Sequence, residues 1–295
     1  MGIISKVFSS IDKRYNIYLS AKDKKSGICP DIRGTEETID KLLSGPFSIS
    51  RLGDGEFMLI FGGRINYQTY DPALRTKLIE ILHSNVCDHL VCISDVFGEM
   101  AERSEENRAF WSEHLRVFRH KYYKYIDMQK VYYNTSATRV YKLLKDKSLA
   151  GPRFEKWKKL WDGQNIVFIE GSQTRMGVGN NLFDNAKRIY RIIGPAENAF
   201  SCYEELLSAA LQFGHDALFI LALGPTATVL SYELAKKGYR ALDLGHIDVE
   251  YEWFIRNNSE IAIDGKYVNE VPGGNAVSIC TDESYQQQIV YSVKQ

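Results

Sequence analysis

Ala217-Leu-Phe-Ile-Leu-Ala-Leu223, running directly into Gly224-Pro-Thr-Ala-Thr228, decides the fold class. An unbroken apolar run has no polar face, so a strand made of it is covered on both sides, as in the interior of a parallel sheet. Gly224 ends the strand, and Pro225 suits the first position of a helix. Ala227, Leu230 and Leu234 then recur on one helical face until Gly238 stops it. Residues 239–244 read as the next strand. A strand–helix–strand unit of this length implies parallel strands joined by a right-handed crossover.

The same texture extends outward. Upstream, residues 166–169 form an apolar strand followed by the loop Gly171-Ser-Gln-Thr-Arg-Met-Gly-Val-Gly179. Residues 188–193 form another strand, and 203–213 a helix stopped at Gly214. Earlier still, Thr35-x-x-Thr38 opens a helix that ends at Gly45-Pro46. Residues 47–51 read as a strand and 52–56 as a loop at its end. Asp71-Pro72 starts a helix with Asp71 as N-cap, and residues 90–93 are a buried strand ending in Ser94 and Asp95. The expected class is α/β: a Rossmann-like, mostly parallel sheet with helices on both faces. Residues 104–160, aromatic and polar without short apolar runs, read as an inserted helical region or lid. Residues 1–34 form a peripheral helical segment and 35–295 the main domain. Residues 1–25 wind as a helix with Ile4, Phe8, Ile11, Tyr15 and Tyr18 near one face, suited to packing on the domain, on another subunit or on a membrane surface.

Bulk properties exclude several classes. Lysine plus arginine equals aspartate plus glutamate at 37 each, so no global field draws the chain to nucleic acid, and an anionic ligand needs a local site. The cysteines Cys29, Cys87, Cys92, Cys202 and Cys280 are scattered without CxxC spacing, which points to a reducing cytoplasm rather than a disulfide or zinc scaffold. No apolar run reaches the roughly 18 residues of a membrane span. The N-terminus shows neither a signal peptide nor, with Lys6 in place of Ser or Thr, a myristoylation pattern.

Ligands of open α/β sheets bind beyond the C-terminal ends of the strands, and four clusters fall there. In Arg51-Leu-Gly-Asp-Gly-Glu56, Asp54 and Glu56 share a side if the backbone is extended. Their hard oxygens suit Mg²⁺ or Mn²⁺ that also binds phosphate, and Arg51 adds a contact to those phosphates. The alternative is a polar Gly-Asp-Gly turn. The Gly224–Thr228 turn is an anion site at a helix N-terminus, assisted by Thr226 and Thr228, or else a plain threonine cap. In Gly245-His-Ile-Asp-Val-Glu-Tyr-Glu-Trp253, His246, Asp248 and Glu250 alternate and would share one side if extended. Asp248 or Glu250 could then serve as general base, with His246 on metal or diphosphate. The alternative is a solvated acidic helix start. Arg175 is the one cation of the Gly171–Gly179 loop and reads as a diphosphate contact or as part of a mobile surface loop.

RLGDGE, GPTAT and GHIDVEYEW in this order resemble the GT-D glycosyltransferases, bacterial enzymes first described as a domain of unknown function. The resemblance covers roughly residues 35–265. It implies a Rossmann-like fold, a divalent metal (Mn²⁺ or Mg²⁺) on Asp54 and Glu56, and a UDP-sugar donor, commonly UDP-glucose. It also implies a glycan or glycosylated-protein acceptor in bacterial surface glycan synthesis, and a base within residues 246–252. The rival readings are a metal-dependent phosphohydrolase and a non-catalytic nucleotide-binding domain. Homo-oligomerisation and peripheral membrane association stay open.

Overall fold

A computed structural model describes residues 3–275 and 277–293, with side chains from Asp12 onward. Ile4, Phe8 and Ile11, assigned above to one helical face, therefore lie outside the described side chains. Nine strands form one sheet: β1 (Asp31–Ile32), β2 (Ser48–Leu52), β3 (His89–Ile93), β4 (Val131–Asn134), β5 (Asn165–Gly171), β6 (Arg188–Gly194), β7 (Ala217–Ala222), β8 (Arg240–Asp243) and β9 (Ile289–Ser292). Their order is β1-β4-β3-β2-β8-β7-β5-β6-β9, and every pairing is parallel.

The helices are α1 (Ile3–Ser26), α2 (Thr35–Leu43), α3 (Asp54–Ile60), α4 (Pro72–Leu82), α5 (Glu105–Tyr123), α6 (Ala150–Lys158), α7 (Tyr203–Ala210), α8 (Pro225–Lys236), α9 (Ile247–Ile255) and α10 (Glu283–Gln288). Successive strand residues feed opposite cores. Ile166 and Phe168 of β5 pack on one side of the sheet with Trp157 and Trp161, while Val167 and Ile169 pack on the other with Leu206 and Leu230. Leu90 and Cys92 of β3 join the first side, and Val91 and Ile93 face a third cluster around Phe57 and Tyr122. Both faces are thus covered, as the apolar run at 217–223 requires.

The fold class stands as expected, with three local corrections. Residues 104–160 are not a helical layer alone, because β4 lies within them, between β1 and β3. Val131-Tyr-Tyr-Asn134 is too polar and aromatic to read as a buried strand from sequence, yet Tyr132 is fully buried. The carboxylate-bearing stretches after β2 and β8 are not extended either. Asp54 and Glu56 open α3, and Asp248 and Glu250 open α9. Acidic side chains favour a helix N-terminus, where they meet free N–H groups and the positive dipole end, so the chain winds as soon as the glycine turn is passed.

α1 lies along α5. The Ser20 hydroxyl accepts the His120 N–H at 3.1 Å, and His120 Nδ1 meets Asp23 at 2.8 Å. Tyr15 and Tyr18 remain exposed. No helix among the described residues is long and apolar enough to cross a membrane.

Topology selects one crevice. The chain leaves β2 for β3 on one side and leaves β8 for β9 at the far edge on the other, while β2 and β8 are neighbours paired at Ile49 and Leu242. Connections diverging from adjacent parallel strands open a gap beyond their C-terminal ends. An ion pair closes its floor. Arg51 Nη2 donates to Asp243 Oδ1 at 2.9 Å, Nε to the Asp243 carbonyl at 2.7 Å, and the Arg51 N–H to Oδ2 at 3.1 Å. Removing one partner of a nearly buried pair strands the other. Asp243→Ala is therefore expected to lower the unfolding free energy by about 3 kcal/mol. Urea denaturation reads this, and a loss below about 1 kcal/mol, the level of an exposed pair, would reduce it to a surface contact.

Candidate functional site

Above this floor lies a cavity of about 830 Å³, within the range of roughly 300–1,000 Å³ typical of small-molecule sites. Its walls come from the ends of β2 and β8, the loop at 64–70, the start of α5, residues 135–143, and a strap at 264–275.

The acidic wall is the first turn of α3. Asp54 is exposed, and Glu56 is half-buried with Oε2 accepting the Gly53 N–H at 2.8 Å. The Glu56 carboxyl is pushed up to about 7, by burial first and then by the Asp243 carboxylate. An acidic helix turn in which burial makes the Glu56 carboxylate costly is a setting in which a divalent cation is welcome. Among the described residues no group of three His, Cys, Asp or Glu is arranged to hold a metal. Asp54 and Glu56 therefore fit Mg²⁺ or Mn²⁺ only if phosphate oxygens and water complete the shell, which is how Mg²⁺ is commonly held.

The opposite wall is cationic. Arg139 meets the Glu270 carboxylate through Nη1 and Nη2, both at 2.6 Å, and faces Glu250 Oε1 through Nε at 3.0 Å. His246 Nδ1 lies 2.9 Å from Glu270 and Lys142 Nζ 3.4 Å. Burial alone would raise Glu270, but Arg139 and His246 outweigh it and hold it well below the usual carboxylate range. Arg139 is raised in turn, because Glu250 and Glu270 overcome the effect of its own burial.

Two glycines allow the walls to close in. Gly224 has φ +54°, and a Cβ there would stand 2.9 Å from the Tyr67 ring. Gly245 has φ +52°, and a Cβ there would collide with the Arg51 guanidinium. Tyr67 is thereby held against the strand ends. Its carbonyl accepts the Asn198 N–H at 2.9 Å, and Asn198 Oδ1 accepts the Thr69 N–H at 2.8 Å. Burial, then Glu56 and Asp54, keep the Tyr67 phenol well above its usual range, so it stays a neutral donor beside the acidic wall.

The expected residues divide into two groups. Arg51, Asp54, Glu56, His246 and Asp248 line the cavity; Arg175, Thr226, Thr228 and Glu250 do not. Thr228 is buried, its hydroxyl within hydrogen-bond reach of the Arg51 carbonyl (3.0 Å) and Asp243 Oδ2 (3.1 Å), so it braces the ion pair instead of meeting a ligand. Thr226 is fully buried and its hydroxyl has no partner among the described residues. Arg175 has φ +54°, which turns it away to donate to the carbonyls of Gly265 and Ser278, both at 2.7 Å.

On a helix, Asp248 and Glu250 point apart. Glu250 Oε2 accepts the N–H groups of Tyr141 (2.8 Å) and Lys142 (2.7 Å). Asp248 accepts from Lys266 Nζ at 2.6 Å, the Gly177 N–H at 2.9 Å and Asn180 at 2.8 Å, and is 2% exposed. Neither carboxylate is free to take a proton from a ligand, so this geometry does not favour either as base. Arg139, Glu270, Lys142, Tyr67 and Asn198 were not singled out from sequence. Arg139 and Lys142 follow β4, which the sequence pattern does not reveal, Asn198 lies just beyond β6, and none of the five falls in a motif.

In a parallel α/β sheet the crevice at such a switch point is where ligands bind, and here it brings an acidic helix start to face a set of cations. The sequence profile of the glycosyltransferase GT-D fold matches residues 49–271, and the chain belongs to this family. The chain is 39% identical over 264 residues to the probable glycosyl transferase Gly of Streptococcus gordonii and 35% identical over 261 to the glycosyltransferase GlyD of Streptococcus pneumoniae serotype 4. Each match covers 88% of this chain but only 38% and 32% of those longer proteins. A solved glycosyltransferase structure from Streptococcus sanguinis superposes with TM-score 0.86 at 37% identity, covering 90% of this chain and all of that one. A second, described as domain of unknown function 1792 with a distinct glycosyltransferase fold, gives 0.87 at 34% identity, covering 94% of this chain and all of that one.

The raised Glu56 has a measurable signature. Its folded form holds a proton that an unfolded chain, titrating near 4.5, has released. The stabilisation is complete below about pH 4.5 and lost as pH rises through about 7. In chelator-treated protein, wild-type stability should therefore fall relative to Glu56→Gln across that window. A pH-independent difference between the two would show that Glu56 ionises normally.

Proposed function

We propose that this cavity transfers a hexosyl group, glucose by family analogy, from a UDP-sugar to a hydroxyl of a glycan or glycosylated protein. The supporting observation is the juxtaposition, in one switch crevice of a GT-D chain, of the Asp54–Glu56 turn with Arg51, Arg139, Lys142 and His246. Mn²⁺ or Mg²⁺ held by Asp54 and Glu56 would neutralise charge on the departing diphosphate. Arg51, held by Asp243 and Thr138, contributes positive charge at the floor, while Arg139 and His246 attract phosphate from the far wall. Glu270 competes for the same cations, so an entering diphosphate displaces one carboxylate from Arg139 without leaving the guanidinium buried and unpaired. Tyr67 and the strap residues Tyr267 and Asn269 flank the cavity and restrict water around the leaving group.

The reading places the reaction in the cytoplasm, in the synthesis of a bacterial surface glycan, as free cysteines and streptococcal relatives suggest.

Acceptor-dependent UDP release from UDP-glucose in the presence of Mn²⁺ tests the proposal. Asp54→Asn and Glu56→Gln should each lose at least about a hundredfold in kcat with the circular dichroism spectrum unchanged. Chelator should abolish wild-type turnover reversibly. Activity that survives both substitutions and chelation would remove the metal from the mechanism, and phosphate release without acceptor would make the chain a hydrolase.

A further inference from the structure

Phe110 is 49% exposed, and of the exposed large apolar side chains among the described residues it is the one that lines the cavity. It sits on the second turn of α5, at the outer rim. One face of its ring is stacked on His114, with centroids 5.8 Å apart and planes at 22°. Its edge meets Trp111 at 5.5 Å and 80°, and Trp111 meets His114 edge-on at 5.3 Å. His114 Nε2 lies 2.9 Å from the buried Tyr122 hydroxyl. One face of the shelf is thus packed, and the exposure of Phe110 leaves the other open.

Polar groups flank that open face. Glu106, four residues earlier and so on the same side of α5, is exposed, and its carboxylate has no hydrogen-bond or ion-pair partner among the described residues. Asn107 has its amide oxygen held by Arg103 Nη1 at 2.8 Å, which fixes the orientation of its NH₂ group. Asp54 lies close enough to act on His114, whose pKa burial lowers and Asp54 partly restores. The shelf thus adjoins the acidic wall.

We infer that Phe110, with Glu106 and Asn107, forms the subsite for the acceptor's terminal hexopyranose. This assignment rests on the glycosyl-transfer reading above and names where the acceptor sits. A pyranose ring has an apolar C–H face that fits an aromatic plane, and equatorial hydroxyls that fit a carboxylate and an amide at its edge. The position favours acceptor over donor. The sugar being transferred must lie inside, next to the diphosphate, whereas a glycan acceptor needs a rim from which the rest of its chain runs into solvent.

The test is saturation-transfer NMR on the full chain with UDP and diamagnetic Mg²⁺, using methyl β-D-glucopyranoside and methyl β-D-galactopyranoside as acceptor probes and UDP-glucose as donor. Wild type should contact the C–H face of at least one glycoside. Phe110→Ala should weaken that binding roughly fivefold, the loss of one stacking contact, and Phe110→Tyr should retain it. Contacts to the glucosyl protons of UDP-glucose should be unchanged in both variants. Equal glycoside binding by Phe110→Ala, or no glycoside contact in wild type that binds UDP, overturns the subsite. Loss of the UDP-glucose glucosyl contacts in Phe110→Ala reassigns the shelf to the donor sugar and also overturns it. Phe110-dependent glycoside binding in a protein that does not bind UDP would support the shelf while overturning the donor reading.

Discussion

The Arg51–Asp243 pair is the constraint on which the cavity depends. It spans neighbouring strands whose connections diverge, at the point where a parallel sheet is open. Three hydrogen bonds join the two residues, and Thr228 contacts both from the helix behind. Ser50 and Ser231 extend the bracing, with Ser50 donating to the Thr228 carbonyl and Ser231 lying within reach of the carbonyls of Ile49 and Ala241. A charged pair this deep is tolerable only because its remaining hydrogen-bonding capacity is met. Gly245 has no side chain because the guanidinium occupies the space.

A second ionic system fixes the far wall. Lys266, nearly buried, joins Asp248 and Glu252 of α9, and Arg175 holds the carbonyls of Gly265 and Ser278. Together they fasten the 264–275 strap so that Glu270 reaches Arg139. The carboxylates of α9 thus mainly serve the wall's architecture, and the cavity is lined by Asp54 and Glu56 beside Arg51 on one side and by Arg139, Lys142 and His246 around Glu270 on the other. An acidic turn across the gap from a cluster of cations is the arrangement on which the proposed function rests.

Much of this is legible in the sequence, and the departures from it share a cause. The runs at 166–169, 188–193 and 217–223 are strands because continuous apolar sequence has nowhere to go but a sheet covered on both faces. Glycine turns after strands 2 and 8 marked the functional ends. The edge strands β1 and β9 and the aromatic β4 carry no such signature; their existence depends on partners remote in sequence. Extended backbone was expected for Asp54-Gly-Glu56 and His246–Glu250, but helix starts formed there, and a period of two became a period near four.

The sequence by itself determined the parallel α/β class, the turns at strand ends and the Asp54–Glu56 motif, since these follow from local patterning and from residue chemistry at fixed spacing. Only the tertiary structure decided that Thr228, Asp248 and Glu250 are buried supports, and that Arg139, Tyr67, Glu270 and Phe110 face the cavity. Whether a carboxylate or hydroxyl is free for a ligand depends on which donor lies within 3 Å of it. Lys266, Arg139 and the backbone at 141–142 reach their partners across 14 to 131 residues of chain. No periodicity in a single sequence records a meeting of that kind.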